Sequence, residues 1–211
     1  MDKILLITIA VGVLSYLVGS INCSILISRL MKKDVRESGS GNAGATNMAR
    51  TFGTGVGVLT MLCDFFKALL PLVLTRVIFR GFYQLEYWQA LVAFSGFCCS
   101  LGHAFPIFFG FRGGKSVTVV GMTFLVVDWR CFVVGISVFI VIVALTRYVS
   151  LGSMLAGISG PITMYFVCRS TTGEYYTVAC LAGLALMIIW LHRENVKRLL
   201  SGTEHKFKPK K

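Results

Sequence analysis

Charge is what this sequence has least of. Asp, Glu, Lys and Arg make up 14% of 211 residues and apolar residues 55%, and the polar positions gather into short groups between long apolar runs. Such a chain has little room for a soluble domain and has the composition of a membrane protein. Acidic residues are scarcer still, 9 against 21 Lys and Arg, which leaves a net charge of +12. Metal-ligand spacings and a disulfide framework are missing too. The seven cysteines, Cys23, Cys63, Cys98, Cys99, Cys131, Cys168 and Cys180, fall within or at the ends of apolar runs and read as small buried hydrophobes. No internal repeat is evident, and the one low-complexity piece is the Lys-rich tail. With neither a soluble domain nor an aromatic-basic groove to carry it, nucleic acid is set aside as a partner.

A run of about 20 apolar residues spans a bilayer core. The chain divides into such runs at 4–30, 53–75, 87–109, 117–127, 131–146, 151–167 and 177–191. They predict an all-α integral membrane protein, a bundle of about seven transmembrane helices forming one domain over 1–211, with a short basic tail at 203–211. The first run is longer than the apolar part of a signal peptide and has no small-residue cleavage site after it, so it reads as a retained helix. The fourth is too short to cross alone. It can tilt, thin the bilayer, or form a bent hairpin with the fifth across Asp128, Trp129 and Arg130. Counting or dismissing the pair together puts the termini on opposite sides either way. One set of connections collects Arg29, Lys32, Lys33, Arg36, Arg50, Arg112, Lys115, Arg147 and seven basic residues from Arg193 onward, 15 in all. The other holds Lys3, Arg76, Arg80, Arg130 and Arg169, with Lys67 inside a run. Basic residues are retained in the cytosol, so the N-terminus is expected outside and the C-terminus inside. The polarised charge suits anionic headgroups or anionic substrates at the inner leaflet.

Four polar clusters interrupt the apolar pattern, and this topology puts all four on the cytosolic side. The first, from Glu37 to Arg50, is rich in glycine, Ser and Asn. Its backbone can curl with N–H groups inward and Arg50 adds a cationic fork, which is the composition of an anion cradle and equally of a flexible loop. No Gly-Lys-Ser/Thr follows it at Walker A spacing. The second is Phe111-Arg112-Gly113-Gly114-Lys115-Ser116, where paired glycines before a helix offer N–H groups and Lys115 a charge; a turn with a positive-inside lysine fits as well. His103 and Pro106 precede it, and a lone His in an apolar run is ordinarily a packed group. The third runs from Arg147 to Ser153, with Ser150 placed to cap the next helix. The fourth is His192-Arg193-Glu194-Asn195, in which His192 and Asn195 share a helical face. Asp64 and Lys67, three apart inside the second run, can neutralise each other as a structural or site-supporting ion pair, and a catalytic role fits equally well.

Taken in order, SGSGNAGATN, the G-H-x-F-P and GGK runs, R-Y-x-S-L-G-S and HREN resemble the motifs of the PlsY family, bacterial acyl-phosphate:glycerol-3-phosphate acyltransferases. The resemblance covers nearly the whole chain. It implies a seven-helix membrane fold in the bacterial inner membrane, with the active site on the cytosolic face. The implied reaction transfers a fatty acyl group from acyl phosphate to the 1-position hydroxyl of glycerol 3-phosphate, giving lysophosphatidic acid and phosphate. No cofactor or metal is implied. The implied partners are the two substrates, membrane lipids and the acyl-phosphate-producing enzyme of PlsX type. One departure is local: the family pattern continues GGKG-V-A-T, whereas Ser116 and Thr118 stand here.

An acyl phosphate is a mixed anhydride with a good leaving group, so no enzyme nucleophile is required. The site must hold two phosphates, accept the proton of the attacking hydroxyl and stabilise an oxyanion. On that chemistry and the resemblance, His192, Asn195, Ser38, Arg50 and Lys115 are the expected catalytic residues, with His192 or a substrate phosphate as base. Ser40, Gly41, Asn42, Gly44, Thr46, Asn47, Gly113, Gly114, Ser150, Ser153 and Glu194 are the expected substrate contacts. The rival reading is a transporter or binding protein for a phosphorylated solute. Transporters place polar groups at the bilayer midplane, whereas these clusters sit at one interface.

Overall fold

The computed structural model describes residues 3–167 and 172–207, so the expectations attached to Cys168, Arg169, Lys208, Lys210 and Lys211 fall outside it. Among the described residues every regular element is helical: α1 (Lys3–Gly19), α2 (Cys23–Leu30), α3 (Ala45–Phe52), α4 (Thr54–Arg76), α5 (Trp88–Ala104), α6 (Val117–Val127), α7 (Trp129–Thr146), α8 (Val149–Val167), α9 (Thr172–Leu191) and α10 (Arg193–Leu200). A π-helical turn, Val77–Phe82, extends α4, and short 3-10 turns occupy Val35–Glu37 and Ile107–Phe109. Six segments are long and apolar enough to cross a bilayer, Lys3–Leu30, Thr54–Phe82, Trp88–Phe109, Trp129–Thr146, Val149–Val167 and Gly173–Leu191.

The first apolar run is not one helix. Asn22 breaks it: its side-chain oxygen accepts the Ile25 N–H at 3.1 Å and caps α2, a role Asn prefers to a helix interior. The break frees carbonyls in a segment that hydropathy cannot distinguish from continuous helix. Lys67 on α4 takes them, donating to Gly19 O at 3.2 Å and Ile21 O at 2.8 Å. The Gly-rich cluster is likewise not all loop, since its second half forms α3.

Large apolar side chains face outward along the long helices, Val133, Ile140, Val141 and Leu145 on α7 among them, as lipid contact demands. Between helices the residues are small. A Cβ on Gly19 would lie 2.1 Å from Cys99 O and one on Gly102 2.1 Å from Tyr16 O, so α1 and α5 meet backbone to backbone, with Ser15 and Ser95 hydroxyls bonded at 2.8 Å. Small residues and hydroxyl pairs are how helices associate where lipid removes any hydrophobic drive. The six described cysteines are unbridged.

α6 positions the site. Its 11 residues span about 16 Å, while antiparallel α7, joined to it through Asp128, has 18 residues and spans about 27 Å. α6 ends and α7 begins at Asp128, so the N-terminus of α6, with Lys115 just before it, stops about 11 Å short of the far end of α7. Asp128 fixes this corner by accepting the Arg130 N–H and pairing with its guanidinium.

Candidate functional site

Four polar clusters far apart in sequence converge at one end of the bundle, around a cavity of about 700 Å³. Ser40, Gly41, Asn42, Gly44, Thr46, Asn47 and Arg50 line it from the first cluster, Gly113 and Lys115 from the second, Ser150 and Ser153 from the third, and His192, Glu194 and Asn195 from the fourth. Ser38 and Gly114 are not among the lining residues.

Asn47 organises the glycine loop rather than reaching outward. Its amide nitrogen donates to Val35 O (3.0 Å) and Ser38 O (2.9 Å), and its oxygen accepts the Ser40 N–H (2.9 Å). Gly39 and Gly41 lie in the left-handed region, φ +59° and +70°, which lets the loop close around Asn47. Gly44 caps α3 without a side-chain bond, so the helix start facing the cavity keeps N–H groups for an anion, with Arg50 further along the helix.

Gly113 and Gly114 do not act as the pair of free donors expected from sequence. Gly113 N–H bonds Ala104 O at 3.0 Å and Gly114 N–H bonds His103 O at 3.1 Å, folding the loop onto α5. Their lack of a side chain matters for closeness: a Cβ on Gly114 would lie 2.2 Å from His103 Nε2 and 2.5 Å from Ala43 O. Together they seat Lys115. Ser116 adopts φ +61°, a conformation natural to glycine, and its hydroxyl donates to Ser100 O at 2.7 Å. The glycine of the family pattern at this place thus has a backbone reason, and Ser116 offsets its strain with a buried hydrogen bond.

Ser150 does not cap α8. It lies within the first turn, and its hydroxyl donates to Glu204 Oε1 at 2.7 Å. Glu204 and Arg198 are the residues that sequence reading missed. Gly202, φ +70°, ends α10 and reverses the chain, so Glu204 returns to the site. There Oε1 also accepts from Asn195 Nδ2 (2.7 Å) and Oε2 from Arg198 Nε (2.7 Å), while Asn195 Oδ1 accepts from Lys115 Nζ. Burial pushes the Glu204 carboxyl up, but the bonds from Ser150, Asn195 and Arg198 outweigh it and hold it below the usual range. Phe207 N–H bonds Arg147 O at 2.7 Å, so the described tail lies along the mouth.

His192 is buried between α9 and α10. Its Nδ1 lies 2.8 Å from Ile188 O, and a carbonyl only accepts, so Nδ1 carries the proton and Nε2 keeps its lone pair. Burial and then the Lys115 charge lower its pKa to about 4, so it is neutral at physiological pH. Burial, with Arg198 and Arg50 nearby and Glu204 opposing, lowers Lys115 to about 8. Glu194 is exposed and paired with Lys197 at 3.1 Å. Deeper in, the cavity becomes apolar, walled by Phe65, Val120, Phe124, Phe132 and Ile188. No group of three or more metal-ligating side chains occurs among the described residues.

A helical bundle of membrane composition with a cationic cavity mouth above apolar walls suits an enzyme that joins a charged soluble molecule to a lipid chain. Residues 9–202 match the family model for glycerol-3-phosphate acyltransferase. The chain is 41% identical over 194 residues to the glycerol-3-phosphate acyltransferase of Geobacter sulfurreducens, covering 92% of this chain and 94% of that one. It is 35% identical over 201 residues to that of Listeria monocytogenes, covering 95% and 96%. Its fold is similar to crystal structures of PlsY, an integral membrane glycerol 3-phosphate acyltransferase. The glycerol 3-phosphate form aligns with TM-score 0.84 and 33% identity over 95% of this chain and 96% of the other, and the lysophosphatidic acid form with TM-score 0.82 and 32% identity over 95% of both. The chain belongs to the glycerol-3-phosphate acyltransferase family and is an acyltransferase of phospholipid biosynthesis.

Proposed function

We propose that the chain transfers a fatty acyl group from acyl phosphate to the 1-position hydroxyl of glycerol 3-phosphate, yielding 1-acyl-glycerol 3-phosphate and inorganic phosphate. The observation that carries this reading is the two-part cavity, with Arg50 and Lys115 at a mouth that continues into apolar walls. Two phosphates fit a site with surplus cations, and a fatty chain fits the apolar half. Lys115, Arg50 and the start of α3 hold the phosphates. His192 Nε2 accepts the hydrogen bond of the attacking hydroxyl. As the new ester bond forms and the acyl–phosphate bond breaks, the hydroxyl proton ends on the departing phosphate, directly or through His192. Asn195, held by Lys115 and Glu204, orients the group that spans both halves of the site.

The same reading places the N-terminus outside, the C-terminus and site in the cytosol of a bacterial inner membrane, and counts α6 with α7 to make seven crossings. The basic-residue distribution and the recessed start of α6 support it, since the recess brings a soluble acceptor down to a lipid-borne donor. A PlsX-type enzyme would supply that donor from the same side. Purified protein should release phosphate from acyl phosphate only when glycerol 3-phosphate is present, and acyl-CoA should not replace the donor. Equal turnover with acyl-CoA would refute the donor assignment.

A further inference from the structure

Several helical glycines mark places where helices touch. A Cβ on Gly160 would lie 2.1 Å from the Phe124 ring, and one on Gly96 2.3 Å from Thr123 Oγ1, so these positions are glycine because helices touch there. Gly121 on α6 and Gly135 on α7 differ. Both line the cavity, and neither has a left-handed φ. A Cβ on Gly121 would have its nearest neighbours in the rings of Phe132 at 3.8 Å and Phe65 at 4.0 Å. One on Gly135 would meet the Phe124 ring at 3.6 Å and Ala156 O at 3.7 Å. All are ordinary contacts, so neither close packing nor backbone conformation calls for glycine. Gly55 and Gly183 are uncrowded as well but do not line the cavity, whereas at Gly121 and Gly135 the missing side chain leaves space inside it.

That space lies along the apolar half of the cavity. Gly121 is four residues past Val117, the first residue of α6, about 6 Å along its axis. Gly135 faces the same region from antiparallel α7. Phe124 is a firm wall there, because its ring rests on Gly160, whose carbonyl accepts from the Cys131 thiol at 3.6 Å. Phe65 and Phe132, in contact with each other at a centroid separation of 6.0 Å, form another wall.

We propose that Gly121 and Gly135 determine acyl-chain specificity, keeping open a slot between these phenylalanines through which the distal part of a long acyl chain passes. A short chain ends before the slot; a long one must enter it. This rests on the acyl-phosphate reading above. The test measures kcat/KM for palmitoyl phosphate and hexanoyl phosphate with the wild type, Gly121→Leu, Gly121→Ala and Gly135→Ala in lipid nanodiscs. Filling an apolar subsite changes discrimination on the order of 10- to 200-fold, so the palmitoyl-to-hexanoyl ratio should fall at least about tenfold in Gly121→Leu. The two alanine variants, which fit without moving neighbours, should shift the ratio the same way by roughly threefold and decide the matter if the leucine variant does not fold. An unchanged ratio in the alanine variants, or equal losses with both donors, overturns the slot while leaving the donor reading intact. Failure of the wild type to use any acyl phosphate, with turnover of another acyl donor, overturns the donor reading and the slot together.

Discussion

Two buried polar clusters lie on this scaffold, and they are built on opposite plans. Around Lys67, inside α4, every charge is answered: Asp64 Oδ1 lies 2.8 Å from its ammonium, His103 Nδ1 3.0 Å, and two carbonyls from the α1–α2 break complete the shell. Around Lys115 the answer is partial. Glu204 neutralises Arg198, but no carboxylate among the described residues lies within ion-pair distance of Lys115 or Arg50. The first cluster borders the cavity through Asp64 and His103 but is charge-balanced and holds helices together; the second has unpaired positive charge and is built to receive an anion. A buried ionisable group therefore says little about function until its partners are counted.

Breaking the balanced cluster should give the largest effect, and on stability. Lys67→Met leaves the buried Asp64 with His103, 3.6 Å away, as its one remaining partner and uncaps the α1–α2 break, which costs on the order of 3–5 kcal/mol. Thermal unfolding in detergent should show a large drop, part of which returns when Asp64→Asn is added. A Lys67→Met protein of wild-type stability would end the comparison. In the open cluster the largest effect should come from His192→Gln, roughly 100-fold in kcat if Nε2 carries the proton. A loss of only a fewfold, with the pH profile unchanged in shape, would assign the proton to a substrate phosphate instead.

Next come Lys115→Met and Arg50→Met. Each removes a charge-assisted bond to a phosphate, which contributes about 1.5–3 kcal/mol, or about 10- to 100-fold in kcat/KM. Both variants should keep wild-type unfolding temperatures, the reverse of Lys67→Met. Wild-type activity in both would sink the phosphate assignment.

How much of this was legible depended on contrast with the surroundings. The Ser/Gly/Asn cluster, Lys115 and His192 stand out because they are polar in an apolar chain. The Asp64–Lys67 pair was readable from helical spacing alone. Glu204 was not, because it is one polar residue in a polar tail; its only sequence signal is Gly202, which ends α10 and turns the chain back. The break at Asn22 was hidden because apolar residues continue on both sides. Ser150 read as a cap because local rules cannot anticipate a carboxylate arriving from 54 residues away. Gly113 and Gly114 provide close approach to His103 and Ala43 rather than the free donors their place before a helix suggests.

The finest test of the open cluster is its pH dependence. The surrounding protein lowers Lys115 to about 8 and His192 to about 4. Lysine binds an anion in its protonated form, so affinity is present below about 8 and fades as pH rises through that value. Histidine accepts a proton in its neutral form, so its contribution is present above about 4. Between the two both groups are in their working states, and kcat/KM for glycerol 3-phosphate, which reports the free enzyme, should be level with respect to them. Above the Lys115 value the ammonium is progressively lost, so kcat/KM should fall by about tenfold per pH unit on the alkaline limb. Lys115→Arg separates this limb from every other ionisation. A guanidinium stays charged throughout that range, so the variant, although weaker at pH 7 because a planar fork replaces a point charge, should lose the alkaline limb near 8. The acceptor's own phosphate titrates identically with both enzymes and cancels in their ratio. A limb at the same pH in wild type and Lys115→Arg would mean that another group sets it, and that Lys115 is not the cation that meets the phosphate.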